Sequence, residues 1–377
     1  MASPSSLFSP LTLAKQPLIN RIAVSPMCQY SANDGCATDW HLQHLMQLAI
    51  SGAGLVVLEA TAVERRGRIT HHCLGLYNDA CEAALERVLQ VARRVAHPGT
   101  KFVIQLAHAG RKASTQRPWE GRASLGPFED PWPTVAPSAL AAGEGWHLPR
   151  ALDEDDIETQ GELFRAAAQR ALKLGLDGVE IHAAHGYLLH QFLSPLSNQR
   201  RDAFGGSLEN RLRFPLQVAQ SLRQLIPQEL IVGARITGTD WHPEGITEDE
   251  ALAFAKDLQG LGVNYVCVTS GGLIQGLKIP SGAGYQVPLA ARIKREVGIT
   301  TRAVGMIVDP HQAEEIIASG QADQVALGRA MLDNPRWPWH AAQALGQNLK
   351  APPQYERSLP DKWAGAAMAR PTASQKS

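Results

Sequence analysis

The sequence predicts an α/β protein: a closed (β/α)8 barrel of the TIM type, with a capping excursion after its third strand. Three observations predict it. Eight short apolar segments alternate with eight helix-like segments along the chain. The apolar segments are continuous rather than alternating, as strands buried on both faces should be. No Gly-x-Gly-x-x-Gly follows the first of them, so the signature of an open dinucleotide-binding sheet is missing.

The strands are predicted at residues 21–26, 55–59, 102–107, 178–183, 230–236, 264–269, 302–305 and 324–328. The helices are predicted at 39–51, 79–95, 153–174, 208–225, 247–261, 286–297, 310–319 and 335–345. Asp153 precedes an acidic first turn, and Thr247 precedes Glu248, Asp249 and Glu250. Both are cap residues beside a favourable helix dipole. Residues 113–152 break the rhythm. They carry Trp119, Trp132 and Trp146 among many Pro and Gly, and are too long for an ordinary connection. A cap over the barrel mouth is predicted, with packing on the barrel side as the alternative. One domain is expected over residues 1–350, followed by an arm and tail over 351–377 whose end, from Met368, frays.

Composition narrows the function. Among 377 residues, 44% are hydrophobic and 19% charged, as in ordinary globular proteins. Lys+Arg and Asp+Glu both number 36, which gives no support to nucleic-acid or anionic-membrane binding. No apolar run approaches the roughly 20 residues of a membrane span. No basic stretch followed by an apolar one opens the chain, so no secretory signal is expected. Five cysteines, irregularly spaced and without Cys-x-x-Cys, argue against a disulfide framework and for a reducing cytoplasm.

The most informative segment runs from Val179 to Tyr187. A short apolar strand ends, and His182, His185 and Tyr187 follow at its tip. In a (β/α)8 barrel the C-terminal strand tips carry the chemistry. Two imidazoles and a phenol suit a substrate oxygen that gains charge while a neighbouring carbon takes a proton. Gln105, Arg111 and Lys112 follow at the tip of strand three. Arg235 lies in strand five, where a buried cation needs an anionic or electron-rich partner. A flavin ring is one such partner; an ion pair with Glu59 or Glu180 is another. Gly305 and Gly328, with Arg329, stand at the turns after strands seven and eight, where barrels often hold phosphate. Cys28 follows strand one and either touches a bound ring or packs as a small hydrophobe. The pairs His41/His44 and His182/His185 permit a zinc reading, but no His-Glu-x-x-His accompanies them. Packing on a helix accounts for the first pair, and no metal site is expected.

Taken together these motifs resemble the Old Yellow Enzyme family of flavin-dependent ene-reductases, in its thermophilic-like branch with the xenobiotic reductases. The resemblance runs from Leu7 to about Arg357. It rests on Ser25-Pro26-Met27-Cys28, Glu59-Ala60, Gln105 to Lys112, His182 to Tyr187, Ser194 to Asn198, Gly205 to Arg211, and Gly328-Arg329. It implies a non-covalent FMN across the mouth and NADPH or NADH as hydride donor. Ser25, Pro26, Met27, Cys28, Ala60 and Gln105 would line the ring, and Arg235 would meet its pyrimidine edge. Gly305, Gly328 and Arg329 would hold the phosphate. His182 and His185 would bind a carbonyl or nitro oxygen, Tyr187 would donate the proton, and Tyr30 and Lys112 would contact substrate. Arg357 would enter a neighbouring subunit's site, which implies a homodimer or homotetramer. A metal-dependent barrel hydrolase using the histidine pairs and a non-catalytic binding barrel are the readings from other classes.

Overall fold

A computed structural model describes residues 5–369 of the chain. The eight apolar segments close into a parallel barrel. Its strands are β1 (Ile22–Val24), β2 (Leu55–Ala62), β3 (Lys101–Ala107), β4 (Gly178–Ala183), β5 (Ile231–Thr237), β6 (Tyr265–Thr269), β7 (Thr300–Val304) and β8 (Gln324–Leu327). Each pairs with the next, and β8 returns to β1. The helices between them are α1 (Asp39–Ala49), α2 (Asp79–Val95), α3 (Glu154–Lys173), α4 (Leu208–Leu225), α5 (Glu248–Gly260), α6 (Val287–Val297), α7 (Pro310–Ala318) and α8 (Trp337–Ala344). Both predicted caps form. Asp153 accepts the Asp156 N–H at 2.8 Å, and Thr247 accepts the Glu250 N–H at 3.2 Å. Among the described residues no helix is long and apolar enough to cross a membrane.

Two differences from the predicted boundaries have physical causes. The first strand stops at Val24 rather than running to residue 26, where Pro26 has no N–H to give a ladder. The last helix starts at Trp337, after a separate turn of helix at Arg329–Asp333 that ends before Pro335.

The core has two layers. Outward strand residues such as Val179 and Ile181 pack against the helices. Inward residues fill the cylinder, as period-two alternation requires. A short hairpin, Leu11–Leu13 with Gln16–Leu18, precedes the barrel and was not predicted. Its Leu13 and Leu18 pack with Ala23, Leu55, Val103 and Ile231 at the strand starts. Its buried leucines plug the N-terminal end and leave the C-terminal end as the mouth. Full burial is worth about 2 kcal/mol for each such side chain.

Residues 113–152 are tied to the loops around that mouth. The Trp132 Nε1–H donates to Arg66 O at 2.9 Å, and Arg200 donates to Pro137 O at 2.9 Å. The Trp119 ring meets the Tyr30 ring edge-on at 6.0 Å. The end of the tail, residues 370–377, lies outside the described residues.

Candidate active site

The barrel interior holds a polar layer built around Glu180. Its carboxylate accepts from Gln105 Nε2 at 2.7 Å, from the Tyr265 hydroxyl at 2.8 Å and from Arg302 Nη1 at 3.1 Å. The Arg302 guanidinium lies 3.9 Å from the Tyr265 ring centroid and donates to Gln324 Oε1 at 3.0 Å. Gly233 makes room for this layer, since a Cβ there would stand 2.1 Å from the Tyr265 ring. Every charge is paired, which a dry interior demands. Arg302, rather than Arg235, is therefore the partner of Glu180. Its signal in the sequence was a charge at the start of a short strand-like run.

One step toward the mouth, His182 stands level with Arg235, and Arg235 with Cys267. Arg235 is 8% exposed and forms no ion pair among the described residues. Glu59, its other candidate partner, is the extra residue of a β-bulge between Leu58 and Ala60. It accepts the Gln29 N–H at 3.0 Å and lies 3.4 Å from His41 Nε2. His41 thus serves α1 and this carboxylate.

After β4 the chain turns sharply. His185 (φ 58°) and Gly186 (φ 73°) are both left-handed. A Cβ on Gly186 would stand 2.6 Å from Gly272 O, so this turn needs glycine. The turn brings three predicted residues together. His185 Nδ1 lies 3.4 Å from His182 Nε2, and the His182 and Tyr187 ring centroids are 4.9 Å apart. Lys112 joins them. Its ammonium donates to His185 O and Gly272 O, both at 2.8 Å, and sits 5.2 Å from the Tyr187 ring centroid.

The electrostatics keep the two imidazoles and the phenol neutral. Burial, with Arg235 nearby, holds both imidazoles well below their ordinary pKa. Burial pushes the Tyr187 phenol well up. Burial, then Arg111 and Arg122, brings Lys112 down to about 8. Thr269 donates to Gln286 Oε1 at 3.1 Å and so receives the His185 Nε2–H, also at 3.1 Å. His182 Nδ1 accepts the Ala184 N–H at 3.3 Å, which leaves its proton on Nε2.

Across the mouth lie Ser25, Pro26, Met27 and Cys28. A Cβ on Gly328 would be 3.7 Å from both Ser25 Cβ and Met27 Sδ, so the tips of β1 and β8 meet there. Ala60 pairs with Gln105 between β2 and β3. Burial, with Glu59 and Cys73, pushes the Cys28 thiol well up, which disfavours its thiolate form. Tyr30 sits beside it with φ 50°. Gly305 (φ 119°) ends β7, and Arg329 opens the short helix after β8. Arg357 is exposed on the turn Pro353–Ser358.

A barrel mouth with two neutral imidazoles, a phenol and a buried guanidinium without an ion-pair partner among the described residues fits a cofactor-assisted oxidoreductase site on a (β/α)8 scaffold. Comparison with known proteins agrees. Residues 6–348 match the model of the NADH:flavin oxidoreductase / NADH oxidase family. An NADPH dehydrogenase of Geobacillus thermodenitrificans (strain NG80-2) is 43% identical over 353 residues, covering 93% of this chain and 98% of the relative. An NADPH dehydrogenase of Listeria innocua serovar 6a is 41% identical, covering 94% and 99%. The solved structure of morphinone reductase superposes with a TM-score of 0.75 at 28% identity, covering 93% of both chains. The chain belongs to this NADH:flavin oxidoreductase family, the Old Yellow Enzyme family. It is an FMN-dependent NAD(P)H oxidoreductase. The metal-dependent hydrolase finds no support in these relationships.

The site residues fit FMN. Arg235 Nε and Ser25 Oγ are buried with no hydrogen-bond partner among the described residues. A planar, acceptor-rich ring is the kind of group such donors need.

Proposed function

We propose that this chain reduces the activated C=C bond of α,β-unsaturated carbonyl compounds, and related nitro compounds, with Tyr187 as proton donor. The observation that carries this reading is the neutral His182–His185–Tyr187 cluster at the tip of β4.

When bound, FMN would supply the hydride chemistry between the reduced nicotinamide and the substrate's β carbon. Ser25, Pro26, Met27, Cys28, Ala60 and Gln105 would line its ring. Arg235 would neutralise the charge that collects at one edge of it, and Gly305, Gly328 and Arg329 would hold the phosphate. Both Nε2–H groups rest on replaceable partners, His182 on His185 and His185 on Thr269. A carbonyl oxygen that gains negative charge is a stronger acceptor than either. One such donor is typically worth about 3–4 kcal/mol in the transition state. The α carbon takes its proton from the Tyr187 hydroxyl. The raised phenol pKa keeps that proton in place at neutral pH. Tyr30 and Lys112 border the substrate, and residues 113–152 cap the mouth. Arg357 serves a neighbouring subunit of a homodimer or homotetramer.

The test is an anaerobic titration of the purified yellow protein with NADPH and NADH. A panel of cyclic enones, maleimides and nitroalkenes would follow. Rapid reoxidation by enones is expected. Reduction by a nicotinamide with no reoxidation by any activated alkene would overturn the reading.

A further inference from the structure

A buried pair behind the Tyr187 turn plays no part in the chemistry above. His190 lies on the short helix Leu188–Leu193 and Asp240 on the loop after β5; they are 0% and 1% exposed. His190 Nε2 is 2.9 Å from Asp240 Oδ1. Asp240 Oδ2 accepts the Ser194 hydroxyl at 2.6 Å and the Ile246 N–H at 2.9 Å. Burial pushes this carboxyl up, but His190, Ser194 and the Ile246 amide outweigh it and hold it below its ordinary value. Asp240 is then a carboxylate and can only accept, so His190 turns its Nε2–H toward it. The other ring nitrogen, Nδ1, accepts the Gly186 N–H at 2.8 Å, with the Thr237 hydroxyl at 3.3 Å. Ser194 bonds the aspartate and not the imidazole, so the trio does not form an activated serine.

Gly186 is the residue between His185 and Tyr187. Left-handed backbone at a non-glycine residue such as His185 is costly and persists only where the surroundings dictate it. Gln191 Nε2 donates to Gly186 O at 2.8 Å, so both backbone polar groups of Gly186 are held from the same short helix. We propose that His190, oriented by Asp240, is a positioning residue: it fixes the His185–Tyr187 turn and so presets the oxygen ligand and the proton donor before substrate arrives. This rests on the roles read above for those two residues.

The experiment uses the FMN-loaded full chain with His190→Phe and His190→Asn, and Tyr187→Phe as reference. Asparagine returns an acceptor for the Gly186 N–H; phenylalanine does not. Flavin reduction by NADPH, reoxidation by 2-cyclohexenone and affinity for phenol are measured separately. His190→Phe should slow reoxidation and weaken phenol binding, each by about tenfold or more, the effect of orphaning one buried donor. Flavin reduction should be unchanged, and His190→Asn should recover most of the loss. Equal losses in both half-reactions, no loss, or no recovery in His190→Asn would overturn the proposal. Slowed reoxidation in Tyr187→Phe with none in His190→Phe overturns it alone; no slowing in either removes the donor reading as well. Should His190→Phe fail to fold, Asp240→Asn carries the same test. It keeps the imidazole but frees its orientation, so the same selective slowing is expected, and its absence overturns the proposal.

Discussion

The His182 and Tyr187 rings stand edge to face, at 88° with centroids 4.9 Å apart. The imidazole proposed to receive the substrate oxygen thereby braces the phenol proposed to supply the proton. Tyr187→Phe keeps the ring of the brace and removes the phenolic hydroxyl. Reoxidation by an enone should fall by about 10²–10⁴, the usual worth of a general acid. Flavin reduction by NADPH should be spared. Stopped-flow absorbance resolves the two steps, and equal slowing of both would remove Tyr187 from the role.

Stability should depend on pH through His182 and His185. Their folded pKa values are depressed by burial and by Arg235. Unfolding frees them to titrate near 6.5. As pH falls through that value the unfolded chain takes up protons that the folded one refuses, so stability drops. The melting temperature should decline from pH 7 to 5, and less steeply in a His182→Asn, His185→Asn double variant. Parallel declines would contradict this.

Arg235 should act with opposite sign on the two forms of the protein. Its buried guanidinium has no ion-pair partner among the described residues. Arg235→Met should raise the melting temperature of flavin-free protein, since a buried unpaired charge is replaced by a hydrophobe of similar length. It should also weaken FMN binding. Calorimetry of both forms checks the two signs, and unchanged FMN affinity would remove Arg235 from the cofactor site.

Gly233→Ala should destabilise the barrel by about 1–3 kcal/mol, the cost of overpacking. A Cβ there would stand 2.1 Å from the Tyr265 ring. Tyr265→Leu in the same chain should relieve part of that clash, although it also removes one of the two donors to Glu180 Oε2. Urea unfolding of the two single variants and the double variant measures the coupling.

The barrel was legible because strands buried on both faces read as unbroken apolar runs. The cluster at the tip of β4 was legible because its three members fall within six residues. Partnerships across the chain were not. Glu180 and Arg302 are 122 residues apart and meet only because β4 and β7 face each other inside the cylinder. His190 and Asp240 are 50 apart, and each alone looks like an ordinary polar residue. The N-terminal hairpin escaped because two strands of three residues carry no measurable period. The helix Leu188–Leu193 escaped because it is buried on every side and so shows no amphipathic stripe.

That hairpin, with Leu13 and Leu18 wedged into the base, adds a stopper beneath an already filled cylinder and leaves a single doorway. The nicotinamide and the second substrate cannot arrive from opposite ends. On the function proposed above they use that doorway in turn, the spent donor leaving before the acceptor enters, and steady-state rates at several fixed alkene concentrations should then give parallel double-reciprocal lines.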